Sequence, residues 1–333
     1  MLKELPVVSI VTPSYNQGQY IRQTIESVLG QDYPNIEYWV IDGGSSDNTL
    51  EVLREYGTRI QWISEKDGGQ AEAINKGWRM SHGQIITWLN SDDLLLPGAV
   101  RRAVDEFSRY PDAAVVFGEL ELVDENLNFL QKLDLIDFKP ERLLFGNVLG
   151  QPNVFLARWV IDQYGFLNEQ LHYVFDWEYW LRLSFSRPVR FVPELFAQFR
   201  IHSECKTYAQ HIYAAREWRQ VLHHVIARGA IPKKFSRYAR RALGNAAASL
   251  GFSYLAKQNY RAAALSFGEA IWYAPLYLTD RGVRNTFLWA ILGNRCSSWM
   301  RKKLGKEMQT NDIQDFRINM PRCNVEEYFV NKY

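Results

Sequence analysis

Cysteine is scarce in this chain. Cys205, Cys296 and Cys323 are the three it has, far apart and in no metal-type spacing. An odd count so distributed makes no disulfide framework and suits a reducing, cytoplasmic compartment. Long apolar runs are missing too: residues 287–293, FLWAILG, fall far short of the ~20 residues a membrane span needs. The opening MLKELPVVSIVTP has no apolar core followed by a small-residue cleavage site, so a secretory leader is not expected. Neither sign of charge dominates. The 39 Lys and Arg against 37 Asp and Glu leave +2, which gives no footing for general nucleic-acid binding. Two nucleotide signatures are absent as well. No G-x-G-x-x-G follows the first apolar run, and no G-x-x-x-x-G-K-[ST] occurs, which removes dehydrogenase-type dinucleotide binding and the P-loop.

What is present is an ordinary soluble composition, 47% hydrophobic and 23% charged over 333 residues. That length accommodates one large domain and an appendage. Aromatic residues are plentiful, with eleven Trp. Core packing is the plain reading for most of them, and saccharide stacking the rarer one.

In the first half, short β-branched runs at 7–13, 36–42, 60–64, 85–90 and 113–118 alternate with helix-period segments at 18–29, 49–56, 71–80 and 98–107. This pattern predicts an α/β fold, a mostly parallel central sheet flanked by helices. Ligands of such sheets bind beyond the carboxyl ends of the strands. Those ends read TPSYN, DGGSSDN, EKDGGQ and NSDD, each polar or Gly-rich and three of them acidic.

The adjacent Asp92 and Asp93 at the end of a core run are the sharpest feature. Paired acids there are tolerable when a divalent cation neutralises them, and Mg²⁺ or Mn²⁺ takes one or two carboxylates with water and phosphate oxygens around it. The competing reading is that Ser91-Asp92-Asp93 only caps the next helix. Asp42 ends the second run before two glycines that let a ligand approach the backbone, and a carboxylate there can accept from a base N–H or a ribose hydroxyl. A nucleotide diphosphate held by acids and a metal fits these ends together.

The segments VSIVTPSYNQGQYIRQTIESVLGQDYPNIEYWVIDGGSSDNT and EKDGGQAEAINKGWRMSHGQIITWLNSDDLLLPGAV resemble the family 2 glycosyltransferases of bacterial polysaccharide biosynthesis, with the GT-A fold. The likeness extends over about residues 7–202. It implies an inverting enzyme, often metal-dependent, that moves a sugar from a nucleotide-diphosphosugar, a UDP-sugar favoured, to a hydroxyl of a saccharide or lipid-linked acceptor. It also implies that Thr12, Pro13 and Tyr15 line the nucleotide pocket with Asn75 close by, and that Asp42 contacts base or ribose. Ser91-Asp92-Asp93 stands at the family's DxD-type motif with Ser91 in place of the first acid. The metal load then falls on Asp93, while Asp92 faces the ribose or binds through water.

FDWEYWLRL, 175–183, resembles the segment where the family keeps an acidic pair whose second member is the catalytic base. Phe175 replaces the first member and leaves Asp176 as the base, with Glu178 as rival. Residues two apart on a helix face different ways, so both cannot address one hydroxyl. Asp176 opens its helix, where an acid also interacts favourably with the dipole, so capping alone is the plain alternative. His202 in FRIHSE stands where relatives often bring a His to the metal or diphosphate, although a lone His is more often structural.

The expected layout is a catalytic domain over 1–205, with a nucleotide-binding half of about 1–118 and an acceptor-side half of about 119–205. A helical region follows over 206–333. Within it Leu250-Gly251, Tyr254, Ala263, Phe267, Ala270 and Pro275 fit one tetratricopeptide-like hairpin, about 244–277. The basic, Trp-containing stretch 284–306 suits peripheral contact with an anionic membrane at its inner face, or simply closes the domain. Self-association is left open. A nucleotidyltransferase is disfavoured because TPSYNQGQY carries no basic residue. A non-catalytic binding protein working through its helical tail is the remaining alternative.

Overall fold

The computed structural model describes residues 5–133, 138–203, 205 and 211–278. The basic stretch 284–306 and two of the cysteines, Cys296 and Cys323, lie outside them. Two compact units divide the chain: Met1–Phe138 with Leu149–Cys205, and Lys139–Val148 with the residues from Lys206 onward.

The first unit is built on one sheet of nine strands. These are β1 (Val8–Ser14), β2 (Ile36–Asp42), β3 (Gln61–Ser64), β4 (Ile85–Trp88), β5 (Leu94–Leu95), β6 (Val115–Val123), β7 (Phe129–Leu133), β8 (Val154–Ala157) and β9 (Val189–Arg200). Their order in space is β3-β2-β1-β4-β8-β6-β9-β5, with β7 paired to β6. β1 to β4 form a parallel block. Beyond it β8 runs antiparallel to both β4 and β6, while β9 lies parallel to β6 and antiparallel to β5. A short connection joins β6 to β7 as an antiparallel hairpin, whereas each parallel step needs a crossover helix.

The crossovers and coverings are α1 (Ile21–Leu29), α2 (Thr49–Glu55), α3 (Gln70–Met80), α4 (Ala99–Arg109), α5 (Trp159–Tyr164) and α6 (Phe175–Ser184). β1 and β4 are buried along their whole length, as continuous apolar runs covered on both faces should be. α1 buries Ile21, Thr24, Ile25 and Val28, one helical stripe. α3 lies close on the sheet because Gly77 has no side chain: a Cβ there would stand 2.5 Å from Val11 Cγ1. β2 flanks β1 on one side and β4 on the other, so the chain's progress across the sheet reverses at β1. Sheets of this kind take their ligands at such a switch point, here between the loops leaving β1 and β4.

The second unit carries α7 (His211–Ala227), α8 (Ser236–Ala256) and α9 (Tyr260–Tyr273), closed by a 3-10 turn at Pro275–Leu278. α8 and α9 form a hairpin around Ala247, Ala263, Phe267, Ala270 and Tyr277. Gly251 admits the Phe267 ring, whose atoms lie 2.9–3.0 Å from where a Cβ would stand. Asn259 caps α9, its Oδ1 accepting from the Ala262 amide.

Candidate functional site

The first two carboxyl-end loops are laced together. The Asn16 amide donates to Ser45 Oγ at 2.7 Å, the Ser46 amide to Asn16 Oδ1 at 2.8 Å, and the Gly18 amide to Asp47 Oδ2 at 2.9 Å. Asp42 is wholly buried within this lacing. It accepts from the Gly44 and Ser45 amides at 3.0 and 2.9 Å, from Ser45 Oγ at 2.5 Å and from Ser64 Oγ at 2.6 Å. Its carboxylate therefore organises the DGGS turn. The space beside Gly43 is filled from within the chain, since a Cβ there would meet Asp67 Oδ2 at 2.9 Å. Burial holds the Asp67 carboxyl above its usual range, and nearby Glu72 and Asp42 push the same way.

Other expected donor contacts spread between floor and rim. Thr12 is buried and shares a 3.0 Å hydrogen bond with the Tyr38 hydroxyl, while Pro13 pairs with Ile41 in the sheet. Tyr15 stands at the rim, 62% exposed. Asn75 is a buried strut: its Oδ1 accepts from the Leu167 amide at 3.0 Å, and its Nδ2 donates to the Leu167 carbonyl and to Glu169 Oε1 at 3.0 and 2.8 Å.

The NSDD turn separates the two acids. Asp93 is 1% exposed, with Oδ1 accepting from the Arg200 backbone amide at 3.0 Å and Oδ2 from Asn90 Nδ2 at 3.0 Å. Asn90 Oδ1 in turn accepts from Gln70 Nε2 at 2.7 Å, which ties the turn to the third loop. Asp92 faces the other way, its Oδ2 lying 3.0 Å from His202 Nε2, and the His202 ring packs 4.7 Å from the Tyr20 ring. β9 arranges this split. Its twelve residues pair with β6 and, near their end, with β5 just past the NSDD turn, and the FRIH end brings Arg200 to one acid and His202 to the other.

Arg200 is the principal residue that sequence reasoning passed over. It is 1% exposed, donates through Nη2 to Gln23 Oε1 at 2.7 Å, and lies 4.7 Å over the Tyr20 ring. Its Nε has no hydrogen-bond partner. Burial lowers its pKa, and the charges of Asp92 and Asp93 act against that fall. The signal was available in FRIH, where residues two apart on a strand share a face.

Asp176 stands in the first turn of α6, and its Oδ1 accepts from the Trp177 amide at 2.7 Å. Glu178 is taken up elsewhere, its Oε2 accepting from Arg182 Nε and Nη2 at 3.1 and 2.9 Å. α6 is seated on the end of β4 through Trp180, stacked on Trp88 at 5.6 Å, and Phe175, 6.3 Å from the same ring. His172, just ahead of α6, reaches the third loop, 3.2 Å from where a Cβ on Gly69 would stand.

Among the described residues no cluster of three His, Cys, Asp or Glu side chains could hold a metal. Asp92 and His202 supply one oxygen and one nitrogen donor, a set that suits Mn²⁺ or Mg²⁺ when water and diphosphate oxygens complete the coordination.

Residues 9–158, a little under half of the chain, match Glycosyl transferase family 2. Asp176, Arg200 and His202 lie beyond that match. An uncharacterized glycosyltransferase of Rickettsia felis is 29% identical over 251 residues, covering 70% of this chain and 41% of its own length. A chondroitin synthase of Escherichia coli is 32% identical over 208 residues, covering 61% of this chain and 30% of its own. The chain thus spans about two fifths or less of the length of these two relatives. Among solved structures, S. aureus TarS 1-349 in complex with UDP-GlcNAc has a TM-score of 0.64 at 14% identity, with 85% of this chain and 89% of that one covered. The mannosyltransferase PcManGT from Pyrobaculum calidifontis, in complex with GDP-Man and Mn²⁺, has a TM-score of 0.56 at 20% identity, with 86% of each chain covered. The match to Glycosyl transferase family 2 thus lies mainly within the first unit, over residues 9–158, and the chain has the GT-A fold of these solved structures.

Proposed function

We propose that the chain transfers a glycosyl group from a nucleotide diphosphosugar, a UDP-sugar favoured, to a hydroxyl of a saccharide or lipid-linked acceptor during polysaccharide synthesis, with inversion. The observation that carries this reading is the split of the two acids, Asp93 locked to the Arg200 amide and Asp92 turned to His202. Asp92 and His202, rather than Asp93, are proposed to hold the divalent cation, which reverses the parts expected of the two acids from the motif. A bound cation would supply Lewis-acid neutralisation of charge on the departing diphosphate.

The chain's own residues do the rest. Tyr15 offers an aromatic face at the rim of the nucleotide pocket, and the Asp42-ordered turn shapes its wall. Asp176 takes the acceptor's proton while that oxygen bonds to the anomeric carbon and the bond from that carbon to the diphosphate oxygen breaks. Glu178, neutralised by Arg182, is left out of the proton transfer. The relatives support the donor class, since TarS and PcManGT are seen with UDP-GlcNAc and GDP-Man. The chondroitin synthase supports the polymer class of product.

Calorimetric titration of UDP and GDP, with and without Mn²⁺, tests the reading on wild type, Asp92→Asn and Asp93→Asn. Metal-dependent binding of one nucleotide, lost in Asp92→Asn, is the expected result. Failure of both nucleotides to bind, or binding indifferent to metal and to Asp92→Asn, overturns it.

A further inference from the structure

The chain's near-neutral balance conceals a strong asymmetry. Between Glu217 and Glu269 there are nine Lys and Arg residues and no Asp or Glu. All of this stretch belongs to the second unit. Glu269 itself is taken by Arg219 at 2.6 Å. Lys233, Lys234, Arg237 and Arg240 are exposed, and none of them pairs with a carboxylate among the described residues.

The cations adjoin an exposed apolar pair. Arg237 and Arg240 lie one turn apart at the start of α8, and Arg240 Nη2 reaches the Trp272 carbonyl at 3.4 Å. Trp272 and Leu276, four residues apart at the end of α9 and in the turn after it, are each 73% exposed. The hairpin is held shut beneath them by the packing of Gly244 against Ala274 and by the hydrogen bond between the Tyr277 hydroxyl and Asn245 Oδ1. The pair therefore faces outward because the interior is already filled by Ala263, Phe267 and Ala270.

A soluble anionic polymer would meet the cations and leave Trp272 and Leu276 in water. A nucleic acid would stack on Trp272 and find nothing for Leu276. The boundary between phospholipid headgroups and acyl chains accepts all three features at once. Guanidinium and ammonium groups sit among the phosphates, the indole at the interface and the leucine below it. We infer that this face of the second unit docks on a membrane surface rich in anionic phospholipid. The inference stands apart from the glycosyl-transfer reading, because none of its residues belongs to the candidate site.

The test is sedimentation of the full chain with vesicles of phosphatidylcholine alone or mixed with phosphatidylglycerol, at low and high salt. Binding is expected with the anionic vesicles only and weakens as salt screens the contact. Arg237→Ser with Arg240→Ser should weaken it about twenty-five-fold, from about fivefold per cation. Trp272→Ser should weaken it at any salt, and Arg54→Ser on α2 should leave it unchanged. Unfolding temperatures of each variant separate lost contact from lost fold, and Lys233→Ser with Lys234→Ser, in the exposed turn before α8, serves if the first pair does not fold. A chain that stays in solution with anionic vesicles at low salt overturns the inference. So does equal binding to both vesicle types, or wild-type binding by a folded cation variant.

Discussion

Arg200 donates its backbone N–H to Asp93 Oδ1 at 3.0 Å, across 107 residues of chain. On the proposed reading, that bond makes Asp93 the structural one of two neighbouring acids. Asp93→Ala removes a buried carboxylate and leaves the Arg200 cation beside a void, at a cost of about 2–4 kcal/mol. Asp92→Asn, in a side chain 20% exposed, should barely move the unfolding temperature. Thermal unfolding of the two variants beside nucleotide titration checks this. A destabilised Asp92→Asn with an unmoved Asp93→Ala would invert the assignment.

The two acids of α6 should separate in the same way. Asp176→Asn is expected to lower turnover by about 10²–10⁴ while nucleotide binding persists. Glu178→Gln breaks the pair with Arg182, whose Nη1 and Nη2 also hold the Tyr164 and Phe166 carbonyls. It should lower the unfolding temperature and spare turnover. Steady-state kinetics on both, with an unfolding scan, is the check.

Asn75→Ala should cost about 1–3 kcal/mol, because the Leu167 amide and carbonyl lose their partner. Nucleotide affinity should stay near wild type. Lost affinity at unchanged stability would make Asn75 a donor contact after all.

Glu37 ties β1 and β2 to the turn after α3, accepting from Ser9 Oγ and the His82 amide at 2.7 Å each. Burial alone would raise its carboxyl, but the donors from His82, Ser9 and Trp39 outweigh burial and hold it below its ordinary 4.5. A depressed folded pKa stabilises above the unfolded value and is lost as pH falls through the folded one. Glu37→Gln should therefore be less stable than wild type by about 1–2 kcal/mol at neutral pH. The gap should close as pH falls below the ordinary 4.5 and on through the lowered folded value. Urea unfolding of both proteins across that range measures it.

The parallel half of the fold was legible because β1, β2 and β4 are short β-branched runs, each followed by a helix whose apolar stripe has a period of its own. The polar strand ends were legible for the same reason, and α6 runs over Phe175–Ser184 as read from its residues. The antiparallel placing of β8 was not, since a buried four-residue run looks the same in either direction. The distinct surroundings of Asp92 and Asp93 were hidden because the groups that divide them, the Arg200 amide and the His202 ring, stand more than a hundred residues downstream. The bracing role of Asn75 was hidden for the same reason: it lies on the helix after a donor-side loop, but its partners are 92 and 94 residues away.

The reach of β9 has a consequence for how this domain can be cut. A fragment ending at residue 158, where the family match stops, would carry NSDD but neither the amide that buries Asp93 nor the imidazole opposite Asp92. Its β6 would keep β7 and β8 on one side but lack β9 on the other. During synthesis the same holds in time, because the turn bearing the two acids cannot take its final form until about a hundred further residues have been made. If the chain binds a nucleotide as proposed, the smallest piece that can do so is therefore set by the end of the FRIH segment, well past the last residue of the recognisable motif.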